Sequence, residues 1–265
     1  MLRRLMLTAI ILVCSSIQLT WAEEDTFQVE VSNREELPAF QVEILQRTES
    51  KVQAPKHVLI YHTHTFEAYE QSETSPYQQT EPWRTTDETH NVIAVGTALS
   101  ASLRALGIEV THDQTPFEPP NMDDAYERSL EMLESRQNDG EIYDLYIDLH
   151  RDALASTSAI SKTVNIAGNN VARFMVLVGK GTTGGYEQRP NWEANLLIAQ
   201  SITDQLNAQY PNLARNVKVK TGRFNQHIAD CCVLIECGIN TNTLEEVLAG
   251  VPYLAEAIKQ TLMPQ

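Results

Sequence analysis

Short apolar runs alternate with helical periodicities along most of the chain. Runs rich in apolar residues predict buried strands. They occupy residues 58–61, 108–110, 143–149, 174–178 and 232–235. Apolar positions three or four residues apart predict helices at 92–106, 126–133, 192–210 and 244–258. Because strands and helices alternate, the connections are crossovers, and the pattern predicts an α/β domain with a mostly parallel sheet and helices on both faces.

A different pattern precedes this domain. Apolar and polar residues alternate over residues 27–31 and again over residues 40–44, with a polar turn containing Pro38 between them. Alternation around such a turn predicts a hairpin or two edge strands. We therefore assign residues 23–55 to a small N-terminal β segment and linker, and residues 56–265 to the main domain.

The first 22 residues have the pattern of a secretory signal peptide. Two arginines precede an apolar run from Leu5 to Val13, and Ala22 precedes an acidic segment. This order matches the charged region, the apolar region and the cleavage site of an exported protein. The run is shorter than the roughly 18 apolar residues of a membrane-spanning helix. We predict cleavage after residue 22, no stable membrane insertion afterwards, and a location in the periplasm, the cell envelope or the extracellular space; an uncleaved membrane anchor is the alternative.

The net charge of the chain limits the classes of molecule that it is expected to bind. The formal net charge is −15, and removal of Arg3 and Arg4 with the signal peptide makes it −17. Nucleic acids and anionic lipid surfaces are bound chiefly through Lys and Arg side chains. We therefore expect neither nucleic acid nor an anionic membrane surface as a partner.

Side chains that bind metals follow three of the predicted strands. His64 and Glu67 follow the first strand, His150 follows the third, and Glu236 follows the last. In open α/β sheets, ligands bind at the carboxyl ends of the strands. Two histidines and one acid, with a further glutamate as base, are typical of a catalytic zinc site with an open coordination position. Each feature alone is more typical of a surface side chain, but the combination predicts a metal site.

Several motifs together resemble those of the stage II sporulation protein P family. In chain order they are His62-Thr63-His64-Thr65-Phe66-Glu67, Arg84-Thr85-Thr86-Asp87, Ile147-Asp148-Leu149-His150-Arg151-Asp152, Arg223-Phe224-Asn225-Gln226 and Leu234-Ile235-Glu236. Their order and spacing match over residues 56–262. The resemblance implies a zinc-dependent peptidoglycan hydrolase, similar in fold to the N-acetylmuramoyl-L-alanine amidases, with both amide and peptide cleavage attributed to the family.

The resemblance also implies roles for individual residues. His64 and His150 take the places of the two zinc-binding histidines, and Glu236 takes the place of the catalytic glutamate. The acidic ligand has two candidates, because metallocarboxypeptidases use a His-x-x-Glu pattern, which selects Glu67, whereas amidases use a position that corresponds to Asp87. We favour Glu67.

Three further residues close to these are predicted to take part in the site. His62 is expected on the same side of its strand as His64, as a ligand, a residue behind a ligand or a substrate contact. Asp148 or Asp152 is expected to orient a ligating histidine, and Asp148 is also a possible metal ligand. Arg151 is expected to stabilise an oxyanion, to bind a stem-peptide carboxylate, or to pair with Asp148 or Asp152.

Two further segments bear on the predicted site: the residues around 225 and the loop after His112. Asn225 and Gln226 lie in a loop expected to reach the site, and we predict that they bind substrate. Residues 116–119, Pro-Phe-Glu-Pro, depart from the family pattern, since a second His-Asp pair is expected there.

The sequence thus predicts an exported zinc amidase that cleaves the bond between the muramyl lactyl group and L-alanine. A zinc peptidase that cuts stem peptides or cross-bridges through the same metal site is the alternative. A wall-binding protein without metal is disfavoured, because all four candidate residues are present. The expected partners are peptidoglycan, as substrate, and a protein regulator of wall remodelling.

Overall fold

The computed structural model describes residues 17–22, 26–31, 55–155, 159–181 and 192–264. The chain divides into two compact units, Met1–Val52 and Gln53–Gln265. In the first unit, β1 (Ile17–Ala22) and β2 (Thr26–Val31) form an antiparallel pair. The predicted strand at 27–31 is therefore present, but it pairs with residues 17–22. Residues 40–44, its predicted partner, and residues 1–16 of the predicted signal peptide lie outside the described residues.

The second unit is built on a six-stranded sheet and a separate hairpin. The strands are β3 (His57–Tyr61), β4 (Glu109–His112), β5 (Leu145–Asp152), β6 (Thr163–Ile166), β7 (Asn169–Ala172), β8 (Phe174–Gly179), β9 (Lys218–Lys220) and β10 (Cys232–Ile239). The sheet order is β4-β3-β5-β10-β8-β9, and β6 pairs with β7 alone. The first four strands are parallel, whereas β8 is antiparallel to β10. The prediction of a mostly parallel sheet is confirmed.

Within the described ranges, five α-helices connect or follow these strands. They are α1 (Val92–Ala105), α2 (Ala125–Asn138), α3 (Trp192–Gln209), α4 (Leu244–Leu248) and α5 (Val251–Leu262). The single helix predicted over 244–258 is wrong, because the chain breaks at Gly250. A Cβ on Gly250 would lie 2.7 Å from the Phe174 ring, so this close approach needs glycine. No helix among the described residues is both long and apolar enough to cross a bilayer.

The alternation of side chains along the strands creates a core on each face of the sheet. Ile60, Ile147 and Val233 belong to the larger core, which also contains buried residues of α1, α3 and α5. Tyr61, Tyr146 and Cys232 belong to the smaller core, together with Leu133 of α2. Helices therefore cover both faces, as predicted. Since successive residues of a strand point to opposite faces, Asp148, His150 and Glu236 lie on the α2 face.

Candidate active site

Two neighbouring strands bring His150 and Glu236 side by side. In the parallel pair β5–β10, Glu236 lies opposite His150, and both side chains are buried. The sequence predicted that His150 and Glu236 follow their strands, but β5 continues to Asp152 and β10 to Ile239. The two residues therefore lie inside a paired region, where strand register fixes their relative position.

His64 and Glu67 reach the same place through a turn after β3. The backbone N–H of Thr63 donates to Asp148 Oδ1 at 2.8 Å, and the chain leaves the sheet there. The rings of His64 and His150 lie 5.3 Å apart at an interplanar angle of 89°. Glu67 Oε2 lies 3.3 Å from His150 Nδ1. Two predicted histidines and the favoured acid are thus gathered next to Glu236.

Asp148 stands behind His150, on the side away from Glu67. It is fully buried and accepts from the Thr63 hydroxyl at 2.7 Å. Its Oδ1 forms an ion pair with His150 Nε2 at 2.8 Å. A ligating histidine usually presents its second ring nitrogen to a carboxylate. The position of Asp148 fits the orienting role predicted for it.

Burial and neighbouring charges set the protonation of the gathered side chains. Burial, reinforced by His150, lowers the pKa of His64 to about 4. Burial by itself would raise the pKa of Glu67, but His150 and Arg151 lower it to about 2. Burial would lower the pKa of His150, but Asp148 and Glu67 raise it well above the usual value. His64 is thus neutral and Glu67 ionised near pH 7, the forms in which each binds a metal.

Glu236 has a different environment from Glu67. Burial raises the pKa of Glu236 to about 8, and its buried carboxylate oxygen Oε2 has no hydrogen-bond partner among the residues that the structure describes. A carboxyl group that titrates close to neutral pH can both accept and return a proton during a reaction. The environment of Glu236 therefore suits a general base rather than a permanent ion-pair partner.

Zinc requires nitrogen, sulfur or carboxylate ligands at a definite spacing. Within the described ranges, no group of three or more His, Cys, Asp or Glu side chains is arranged to hold a metal ion. The donor types, two imidazoles and a carboxylate, fit zinc. The 3.3 Å between Glu67 Oε2 and His150 Nδ1 matches the separation of about 3.3 Å between tetrahedral ligands with bonds of ~2.0 Å. The residues present fit zinc in chemistry and in this distance.

Asp87, the other candidate for the acidic ligand, is not part of this group. Its carboxylate accepts from the backbone N–H of Thr89 at 3.0 Å and lies 2.8 Å from His90 Nδ1. These contacts are local to the exposed segment before α1. The structure gathers Glu67 with the histidines and leaves Asp87 on its own loop.

His62 lies on the other side of the sheet from His64, so the expectation of a shared side is wrong. It is fully buried, with Nδ1 2.9 Å from the Leu149 carbonyl and Nε2 2.9 Å from His112 Nε2. Burial lowers its pKa to about 3. The prediction failed because β3 ends at Tyr61, and the turn that follows breaks the alternation of a strand. Both ring nitrogens of His62 are used in these contacts.

Arg151 holds a loop, and its predicted pairing with Asp148 or Asp152 is wrong. Its guanidinium donates to the carbonyls of Ala68 at 2.8 Å and Trp83 at 3.0 Å. Its backbone N–H donates to Glu67 Oε2 at 3.1 Å. Asp152 pairs instead with Arg215 at 2.8 Å. These contacts give Arg151 a positioning role, and its contacts with an oxyanion or a substrate carboxylate stay predictions.

The side chains of Asn225 and Gln226, which are predicted to bind substrate, make hydrogen bonds that anchor their own loop. The Gln226 side chain accepts from Gly179 N–H and donates to the Leu177 carbonyl, both at 2.9 Å. The Asn225 amide donates to the Tyr126 carbonyl at 2.6 Å. Both side chains are buried. They attach their loop to β8 and to α2.

Glu118 is the residue that sequence reasoning missed. It is buried, accepts from Phe66 N–H at 3.1 Å, pairs with Arg84, and lies 3.8 Å from His64 Nδ1. It belongs to residues 116–119, the segment that departs from the family pattern. The available sequence signal was a carboxylate that lies between an aromatic residue and a proline. In the structure the aromatic residue, Phe117, is buried together with Glu118.

A cleft lies next to His64. Its volume is about 250 Å³, and it is lined by Asp123, Tyr126, Glu127, Gly222, Arg223, Phe224 and Asn225. The Tyr126 ring contacts both the His64 ring, at 5.5 Å, and the Phe224 ring, at 5.9 Å. The cleft therefore adjoins the gathered side chains through Tyr126.

Comparison with known proteins identifies one matching family and several solved structures. A family model described as stage II sporulation protein P matches residues 18–259. No curated protein matches the chain. The amidase AmiC2 of Nostoc punctiforme is 13% identical, with a TM-score of 0.46, and the match covers 78% of this chain and 95% of that one.

Two further solved structures have comparable similarity. The catalytic domain of the CD27L endolysin that targets Clostridia difficile is 16% identical, with a TM-score of 0.48, covering 79% and 98% of the two chains. The CwlD amidase from Clostridioides difficile, in complex with the GerS lipoprotein, is 14% identical, with a TM-score of 0.45, covering 78% and 95%. At these sequence identities and TM-scores, the structural similarities assign no activity to this chain.

Proposed function

Because the chain belongs to the stage II sporulation protein P family, we propose that it is a zinc-dependent peptidoglycan hydrolase. The bond cleaved in this proposal is the amide between N-acetylmuramic acid and L-alanine. The supporting observation is that the partly buried His64 and Glu67 and the buried His150 lie together beside Glu236, whose pKa burial raises to about 8.

In this proposal, His64, Glu67 and His150 hold the zinc. The metal, when bound, supplies a polarised water and a positive charge beside the scissile carbonyl. Glu236 Oε2, which no described residue hydrogen-bonds, takes a proton from the attacking water and returns it to the leaving amine. The Arg151 backbone N–H orients Glu67, and Asp148 orients His150.

The adjoining cleft provides a place for the substrate. The rings of Tyr126 and Phe224 and the charged side chain of Arg223 line it. A stem peptide carries apolar methyl groups and carboxylates, which aromatic and guanidinium groups bind. In this proposal the peptide lies in the cleft, and its amide bond lies next to His64.

The proposal is tested by zinc analysis and by digestion of purified peptidoglycan. We expect about one zinc per parent chain, and loss of zinc in His64→Ala and His150→Ala. Mass spectrometry should find released stem peptides with a free L-alanine amine. Cleavage inside the stem peptide would identify a peptidase instead, and full zinc occupancy in both histidine variants would refute the site.

The same zinc measurement shows which acid, Glu67 or Asp87, is the acidic zinc ligand. We expect Glu67→Ala to lower the zinc content, because Glu67 lies beside His150. Asp87→Ala is the matched control and should retain zinc, because Asp87 contacts Thr89 and His90. The reverse pattern would select the amidase-type arrangement.

A further inference from the structure

The two candidate zinc-binding histidines have similar surroundings. Each has a buried carboxylate close to one ring nitrogen: Asp148 lies 2.8 Å from His150 Nε2, and Glu118 lies 3.8 Å from His64 Nδ1. Asp148 was expected in this role, but Glu118 comes from the segment that departs from the family pattern. A carboxylate behind a ligating histidine fixes the orientation of its ring and increases its basicity.

The two oxygens of Glu118 have different partners. Oε2 pairs with the Arg84 guanidinium, whereas Oε1 accepts from Phe66 N–H at 3.1 Å and faces His64 Nδ1. The Glu118 side chain is only 4% exposed, so the carboxylate cannot turn toward water. One oxygen is therefore fixed by the ion pair, and the other is available to the imidazole.

The loop that delivers Arg84 is itself held in place. Trp83, which precedes Arg84, has a φ of +55°, a conformation that is uncommon outside glycine. The Trp83 carbonyl accepts from Ala68 N–H at 2.8 Å and from Arg151 at 3.0 Å. Unusual backbone conformations held by their surroundings are often found at functional sites. Arg151 thus supports Arg84, which in turn fixes Glu118.

His64 Nδ1 has no other acceptor among the described residues, since it is buried and makes no hydrogen bond. A shift of about 1 Å would bring it within hydrogen-bond distance of Glu118 Oε1. We propose that Glu118, fixed by Arg84, is a positioning residue that accepts the Nδ1–H of His64 and leaves His64 Nε2 for zinc. This inference rests on the proposed zinc site.

The experiment measures zinc affinity in the full chain by competition with a chromogenic chelator. Glu118→Gln keeps the size of the side chain and removes its charge, and we expect zinc to bind ~10–100-fold more weakly. Glu118→Asp keeps the charge for Arg84 but is one methylene shorter, and we expect a similar loss without unfolding. Thermal unfolding of the metal-free variants shows that they are folded.

Asp113→Asn is the matched control. Asp113 is also a buried carboxylate, and it pairs with an arginine, Arg136, at 2.7 Å. Like Glu118→Gln, the Asp113→Asn variant should lose stability. Its zinc affinity should stay within about threefold of the parent's, because Asp113 does not contact a candidate zinc ligand.

A nuclear magnetic resonance measurement separates positioning from general destabilisation. In the zinc-loaded parent, the Nδ1–H proton of His64 should give a slowly exchanging downfield signal, which moves upfield in Glu118→Gln. Zinc binding by Glu118→Gln and Glu118→Asp within threefold of the parent would overturn the inference and leave the zinc site intact. A parent that binds no zinc would overturn both.

Discussion

At the scale of single residues, the site depends on which carboxylates are paired and which are not. Glu67 is beside His150 and accepts from Arg151 N–H, so it is held ionised. Glu236 lies opposite the same histidine, yet burial raises its pKa to about 8. Two carboxylates with opposite pKa shifts in one site commonly divide the roles of fixed charge and proton carrier.

The role of Glu236 is tested by Glu236→Gln. The variant keeps the size of the side chain but cannot accept a proton, and we expect hydrolysis to fall by ~10²–10⁴-fold. Zinc content and thermal unfolding should change little, because Glu236 is not proposed as a ligand. Muropeptide release within a few-fold of the parent, or loss of zinc together with activity, would contradict the assignment.

At the scale of elements, the site is formed where β3 ends and where β5 and β10 stay paired. The turn after Tyr61 places His62 under α1 and His64 against Tyr126 of α2. On the α1 side, His62 and His112 pack directly against Gly96, where the helix has no side chain. Helix α1 therefore rests on the buried histidine pair.

This packing predicts the effect of Gly96→Ala. An added Cβ would lie 2.5 Å from His112 Nε2 and 2.6 Å from His62 Nε2. Alanine normally stabilises a helix by ~1 kcal/mol relative to glycine, but overpacking costs ~1–3 kcal/mol. We expect a net loss of stability in chemical or thermal unfolding.

The control for this prediction is Thr97→Ala, at an exposed neighbouring position of α1. It should stabilise the chain by a few tenths of a kcal/mol through helix propensity alone. If Gly96→Ala also increased stability, the close packing of α1 on His62 and His112 would be refuted.

At the scale of the whole molecule, the net charge and the N-terminal segment bear on where the cell places the protein. The net charge of −15 disfavours attachment to anionic surfaces. Strand β1 lies within the predicted signal peptide, so cleavage after Ala22 would remove it and leave β2 without this partner. The β1–β2 pair would then belong to the precursor only.

Export is tested by expressing the full chain in a bacterium and sequencing the N-terminus of the product. We expect a protein that begins at Glu23 in the soluble exported fraction, because Arg3, Arg4 and the following apolar run match an export signal. A chain that lacks residues 1–22 is the control and should remain inside the cell. A full-length product that needs detergent would show an anchor instead.

The sequence by itself determined the order of the main elements and the types of chemical group. Hydrophobic periodicity depends on local spacing, so it located α1 and α3 within one residue of their observed ends and found the starts of α2 and β10, which both extend four or five residues beyond their predicted ends. The same local information predicted a parallel sheet, which in turn predicted that His64, His150 and Glu236 would meet at one edge.

Only the tertiary structure decided the positions that depend on contacts distant in sequence. Glu118 meets His64 and Arg84 across 54 and 34 residues, and no local pattern encodes such a pairing. The side of the sheet that His62 faces was decided by the point where β3 ends, since one residue of turn reverses the alternation. Arg151, Asn225 and Gln226 have the polarity of substrate-binding groups, but buried backbone groups also require partners, and the folded chain uses these side chains to satisfy them.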